Sequence, residues 1–184
     1  MKILTGKYRG TKLKLSSHDR LRPTLNRIRS ALFDVLQTYL DFKGSLFIDL
    51  FAGSGAVGLE ALSRGFDKTV FVELDSVVGR DLRANTMFLK RDCYQIDIAD
   101  VFNWLKRVDY LTNKYNRGVF FLDPPYEKHY YQKIAFWRAK FGKEMPNWIL
   151  VLQKPASELV KTRELGLCLQ VKRYGNTLLD FYRL

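Results

Sequence analysis

The chain has little of what a disulfide scaffold, a metal site or a membrane span requires. Only two cysteines occur in 184 residues, Cys93 and Cys168, each alone in a strand-like segment. Such usage excludes a disulfide framework and leads us to expect buried thiols in a reducing cytoplasm. His18 and His129 are the only histidines, and neither stands in a cluster of potential ligands, so no metal is expected. No apolar run approaches the roughly 20 residues that span a bilayer. The opening residues, with Lys2, Lys7, Arg9 and Lys12 among polar neighbours, lack a signal-peptide core. Acidic residues are also scarce: 19 Asp and Glu face 31 Lys and Arg, a net charge of +12. Residues 1–43 carry ten of the cations and three acids, hence +7 of that excess. A solvated surface could hold such charge, but its concentration at one end points to a polyanionic partner.

Prolines number only five, and two of them adjoin in Asp123-Pro124-Pro125-Tyr126. The four residues follow the apolar run Gly118-Val119-Phe120-Phe121-Leu122, which reads as a buried strand. They therefore fall where ligands collect in open α/β sheets. A carboxylate, backbone carbonyls and an aromatic ring at one point suit a planar nitrogen base. An exocyclic amine on such a base is a poor nucleophile, because its lone pair is delocalised into the ring. Asp123 and a carbonyl accepting its two N–H bonds favour a pyramidal nitrogen, while Tyr126 stacks on the ring. A Pro-rich turn closing a strand would explain the same residues without chemistry.

A second motif favours the chemical reading. Leu46 to Phe51 is an apolar run entering Ala52-Gly53-Ser54-Gly55-Ala56-Val57-Gly58, after which Leu59, Ala61 and Leu62 recur at helical spacing and Gly65 ends the helix. Glu73 closes the next strand, about 20 residues beyond the loop, the usual place for an acid that binds ribose hydroxyls. Gly53, Gly55 and Gly58 also satisfy the dinucleotide pattern, so NAD competes as a ligand. S-adenosylmethionine fits better, because its sulfonium is the electrophile that an amine pocket needs. Asp100, after the third strand, could accept the adenine amino proton or cap the helix that begins at Val101.

Leu21-Arg22-Pro23-Thr24, the stretch Phe47 to Gly65 and Asp123 to Tyr126 together resemble the RsmD family, bacterial methyltransferases acting on the N2 amine of a guanine in 16S ribosomal RNA. The resemblance runs from Gly6-Lys7-Tyr8-Arg9-Gly10 to Tyr174-Gly175-Asn176 and the closing strand. It departs at Gln153-Lys154, where an acid is expected, and is loose from Glu127 to Asn147. It implies a class I methyltransferase: α/β, a mostly parallel seven-stranded sheet with helices on both faces, an antiparallel final strand and a small N-terminal β-hairpin. Residues 1–23 then form a basic arm and 24–184 the catalytic domain. Candidate catalytic residues are Asp123, Pro124, Pro125 and Tyr126. Candidate cofactor contacts are Asp49, Phe51, Ala52, Gly53, Ser54, Gly55, Glu73, Leu74, Asp100, Val101 and Asp123.

The basic end has its own pattern. Residues 3–15 alternate about Gly10 as a hairpin would, leaving Lys7, Arg9, Lys12 and Lys14 for phosphates, joined by Arg22 and Arg27. Thr24 reads as an N-cap for a helix whose core stripe is Ile28, Leu32, Val35, Leu36, Tyr39 and Leu40, with Arg27 and Arg29 on other faces. A helix from Ser76 to about Lys90 would bury Leu82 and Met87. Trp104, Trp137 and Trp148 belong to the core. The expected partner is 16S ribosomal RNA, naked or in a small subunit or assembly intermediate, met by a monomer. A DNA adenine or protein glutamine methyltransferase poses the same chemical problem, and a non-catalytic RNA-binding assembly protein would keep the fold without it.

Overall fold

Strands buried on both faces need helices on each side of their sheet, and the apolar runs supply such strands. The computed structural model describes residues 1–14, 26–125, 128–140, 145–158 and 165–184. Its core strands are β1 (Leu46–Asp49), β2 (Lys68–Glu73), β3 (Tyr94–Ile98), β4 (Gly118–Leu122) and β5 (Trp148–Pro155). Two more, β6 (Leu167–Tyr174) and β7 (Thr177–Arg183), meet at Gly175-Asn176. They form one sheet in the order β3-β2-β1-β4-β5-β7-β6. The first five strands are parallel, whereas β7 runs antiparallel to both β5 and β6.

This order positions the site. From β1 the chain winds outward through β2 to β3, then returns past β1 to β4 and continues the other way. The direction of winding reverses between β1 and β4, which opens a crevice at their carboxyl ends. Helices α1 (Asn26–Leu36), α2 (Ala56–Arg64) and α3 (Ser76–Thr86) cover one face. There Phe33, Leu36, Val57 and Ala61 pack on Phe47, Val119, Phe121 and Ile149, and Leu59 and Leu82 pack on Phe71. Helices α4 (Val101–Leu105), α5 (Asp109–Lys114) and α6 (Lys128–Lys140) cover the other, where Trp104, Leu111, Ile134 and Trp137 meet Ile48, Val70, Phe120 and Leu150. All three tryptophans are buried, as their sequence setting implies.

Four expectations change. The hairpin narrows to one antiparallel bridge, Lys2 to Lys12. Ile3 N–H to Thr11 O, Gly10 N–H to Ile3 O and Leu13 N–H to Met1 O still join its two limbs, while Leu4 and Thr5 N–H donate to the buried Glu60 carboxylate and Tyr8 N–H donates to Ser63 Oγ. Arg29, expected on an outer face of α1, is 0% exposed; it donates to Lys2 O at 2.6 Å and lies 3.6 Å from Glu60. Burial holds its pKa below the ordinary value; the Glu60 charge opposes this and Arg64 adds to it. Helix α3 stops at Thr86, so Met87 is 82% exposed and Leu89 takes the inward place beyond the turn. Finally, neither thiol is deeply buried, since Cys168 lies exposed on the edge strand β6 and Cys93 is half-buried. Thr24, the expected cap of α1, lies outside the described residues.

Candidate active site

Strand β1 ends at Asp49, and the glycine loop carries the chain across the carboxyl end of the sheet into α2. Asp49 is buried beneath that loop and accepts from Gly58 N–H at 3.1 Å. Gly55 sits at φ +80°, and a Cβ there would lie 2.4 Å from Leu82 Cδ1. A Cβ on Gly58 would meet Phe71 Cε1 at 2.3 Å, so α2 can approach β2 only without side chains at these places. Ala52, Ser54 and Gly55 are buried parts of the same loop and do not line the cavity beside it.

That cavity, about 510 Å³, opens at the switch point. Phe51, Gly53, Glu73, Leu74, Asp100, Val101, Asp123, Pro124 and Pro125 all line it, from the ends of β1, β2, β3 and β4. Glu73 is held by two backbone donors, Gly53 N–H at 2.9 Å to Oε2 and Asp75 N–H at 2.8 Å to Oε1. Each oxygen keeps a second lone pair, so the carboxylate can still accept from a ligand. Asp100 caps α4, as foreseen, by accepting from Asn103 N–H at 2.9 Å, and it also lines the cavity. Asp123 stands at the end of β4, its Oδ2 2.8 Å from Gln153 Nε2. Tyr126 lies outside the described residues, as does Arg22.

Four further lining residues escaped the sequence: Leu50, Asp75, Val78 and Tyr130. Asp75 had a readable signal, since it caps α3 by accepting from Val77 N–H at 2.7 Å. Tyr130 had none. Its ring meets Phe51 edge-on at 5.6 Å and stacks with Phe102 at 6.0 Å, contacts that exist only once α6 lies over α4.

The described part of the basic arm, residues 1–14, reaches the glycine loop at Lys14. Asn85 Oδ1 accepts from Lys14 N–H at 2.8 Å, while its Nδ2 donates to Lys14 O and to Ser54 O, both at 2.9 Å. The arm is thereby tied to the glycine loop through one buried side chain. Lys7, Arg9, Lys12, Lys14 and Arg27 are all exposed. Among the described residues no group of three or more His, Cys, Asp or Glu could hold a metal ion, and no helix is long and apolar enough to cross a membrane.

The donor set and walls fit S-adenosylmethionine. Glu73 matches ribose hydroxyls, Asp100 an exocyclic amine, and Leu74, Val78 and Val101 supply apolar walls for an adenine ring. The fold is that of class I methyltransferases. The chain is 33% identical over 178 residues to "Ribosomal RNA small subunit methyltransferase D" of Haemophilus influenzae, covering 95% of this chain and 89% of that relative. It is similar in structure to "Putative methyltransferase yhhF" of Escherichia coli, with a TM-score of 0.79, 26% identity and coverage of 99% and 96% of the two chains. A Thermus thermophilus protein described as hypothetical gives a TM-score of 0.76 and 27% identity over 100% and 99%. Matched over residues 1–183, the chain belongs to the family described as Conserved hypothetical protein 95, and the RsmD resemblance of its sequence holds along that length.

Proposed function

We propose that this protein methylates the exocyclic N2 amine of a guanine in 16S ribosomal RNA, with S-adenosylmethionine as methyl donor. The observation that carries the reading is that Glu73 and Asp123, from strands on opposite sides of the switch point, open on one cavity. A nucleoside cofactor and an amine-bearing base then meet there without further rearrangement. Residues 1–23 serve as the RNA-docking arm and 24–184 as the catalytic unit. The enzyme works as a cytoplasmic monomer on a small ribosomal subunit or its assembly intermediate.

Glu73 holds the ribose and Asp100 the adenine amine, between the apolar walls of Leu74, Val78 and Val101. Gly53 lets the loop backbone approach the methionine part beside Phe51, while Asp49, Ala52, Ser54 and Gly55 set the shape of the loop behind it. When bound, S-adenosylmethionine supplies an electrophilic methyl group. The remaining work belongs to the chain. Asp123 accepts one amine N–H and the Pro124 carbonyl the other, so the nitrogen lone pair turns out of the ring plane. Pro125 stiffens the turn, and Tyr126 stacks on the base. Proximity then converts a weak nucleophile into an adequate one, since alignment alone can supply roughly 7–11 kcal/mol of a barrier.

An adenine N6 or a glutamine amide would make the same demand on Asp123. The exposed cations of the arm, tied to the glycine loop through Asn85, and the name of the Haemophilus relative support ribosomal RNA instead. The test is to incubate the protein with methyl-labelled S-adenosylmethionine and either naked RNA or small subunits, then digest to nucleosides. Label in N2-methylguanosine is expected. Label in N6-methyladenosine, or in protein, would replace this reading with the alternative.

A further inference from the structure

We propose that Gln153 is a positioning residue for Asp123, an inference that rests on the role given to Asp123 above. The sheet itself brings the two together. In the parallel β4–β5 pair Leu122 stands opposite Leu152, and one residue further along Asp123 and Gln153 fall on the same face. Below them on that face, Phe121 and Val151 are packed into the core. The Gln153 amide donates to Asp123 Oδ2 at 2.8 Å.

The donor is fixed in place. Gln153 is 4% exposed, and its backbone belongs to the antiparallel β5–β7 pair, opposite Leu179. A side chain carried by a paired central strand holds its partner more tightly than a loop residue can. The adjacent Lys154 points to the opposite face and is committed there. Its Nζ pairs with Asp180 Oδ2 at 2.8 Å, and the same oxygen accepts from Tyr182 Oη at 3.0 Å. The group that β5 presents to Asp123 is therefore a neutral amide rather than an ammonium. That choice has a chemical consequence. An ammonium would hold the carboxylate in an ion pair, in competition with the weak donor N–H of an aromatic amine. An amide fixes its rotation and leaves acceptor capacity, because a carboxylate offers about four lone-pair sites.

A residue that acts through Asp123 should matter only when Asp123 is present. The test is single-turnover methyl transfer to small-subunit RNA by wild type, Gln153→Met, Asp123→Ala and the double variant, with cofactor affinity and melting temperature measured for each. Gln153→Met is expected to slow transfer about tenfold, with S-adenosylmethionine affinity and RNA KM within about twofold of wild type. In the Asp123→Ala background the same change should cost less than about twofold. Gln153→Asn, which keeps the amide and retracts it by one carbon, disturbs the core less and should show the same dependence on background. An undiminished rate in Gln153→Met and Gln153→Asn, beside an impaired Asp123→Ala, would overturn the inference while sparing the reading of Asp123. Equal fractional losses in both backgrounds would overturn it too, by reducing Gln153 to packing. A wild-type rate in Asp123→Ala would remove the reading of Asp123 and this inference together.

Discussion

Glu73 has two tasks with one carboxylate. It pins Gly53 and Asp75 by their N–H groups, which shapes the turn at the head of β2, and it faces the cavity as an acceptor. Glu73→Ala should therefore weaken S-adenosylmethionine binding, since charge-assisted hydrogen bonds to ribose are worth roughly 1.5–3 kcal/mol each in gross terms. Titration calorimetry reads this directly, and unchanged affinity would contradict the assignment. Gly55 makes a different prediction. With φ +80° and a prospective Cβ 2.4 Å from Leu82, Gly55→Ala should destabilise the fold by at least about 1–3 kcal/mol, visible as a lowered melting temperature. An unshifted melt would mean that the loop adapts. Residues of this kind were legible because their meaning is local: a glycine in a turn, an acid at a strand end. The partner of Gln153, a position the sequence marked only as a departure from the family pattern, and the place of Tyr130 were not, because each depends on a strand or helix distant in sequence.

At the scale of elements, strands and helices followed closely from apolar periodicity. Strand β4 begins and ends at the predicted residues, and Gly65 terminates α2 with φ +109° and Phe66 N–H donating to Ala61 O. The arm was harder to read. Its alternation suggested a hairpin, and Ile3, Gly10 and Leu13 N–H do donate across one, but Leu4, Thr5, Lys7 and Tyr8 N–H are spent on α2, through Glu60 and Ser63. Nothing in the sequence near Glu60 announces this, because an acid at a helical position ordinarily reads as solvated. Glu60 also binds Arg64 at 3.0 Å and stands beside the buried Arg29. Breaking a buried ion pair from one side typically costs about 3–5 kcal/mol, so Glu60→Ala should lower stability and release the arm. Hydrogen exchange is the measurement. Amides of Leu4, Thr5 and Tyr8 should lose protection, and retained protection there would refute Glu60 as the anchor.

The whole molecule joins a catalytic sheet to a basic end, and the two are connected physically through Asn85 at the glycine loop. Alternating strands and helices made the sheet class legible, while the closing β6–β7 pair was announced by Gly175-Asn176. Net charge indicated a polyanion but not where it docks. If the exposed arm cations hold phosphates, neutralising Arg9 and Lys12 together should flatten the log–log salt dependence of RNA binding by about 0.7–0.9 for each phosphate no longer held. Cofactor affinity should stay the same, and parallel slopes for the two proteins would leave the arm as solvated surface. The central claim is that one crevice holds the cofactor at Glu73 and the target amine at Asp123. It is tested most directly by single-turnover transfer of labelled methyl to small-subunit RNA, comparing wild type with Asp123→Ala and digesting the product to nucleosides. The account predicts label in N2-methylguanosine, a rate lower by about 10²-fold or more in the variant, and cofactor affinity within a few fold of wild type. Wild-type transfer by Asp123→Ala, or label in another nucleoside, would contradict it.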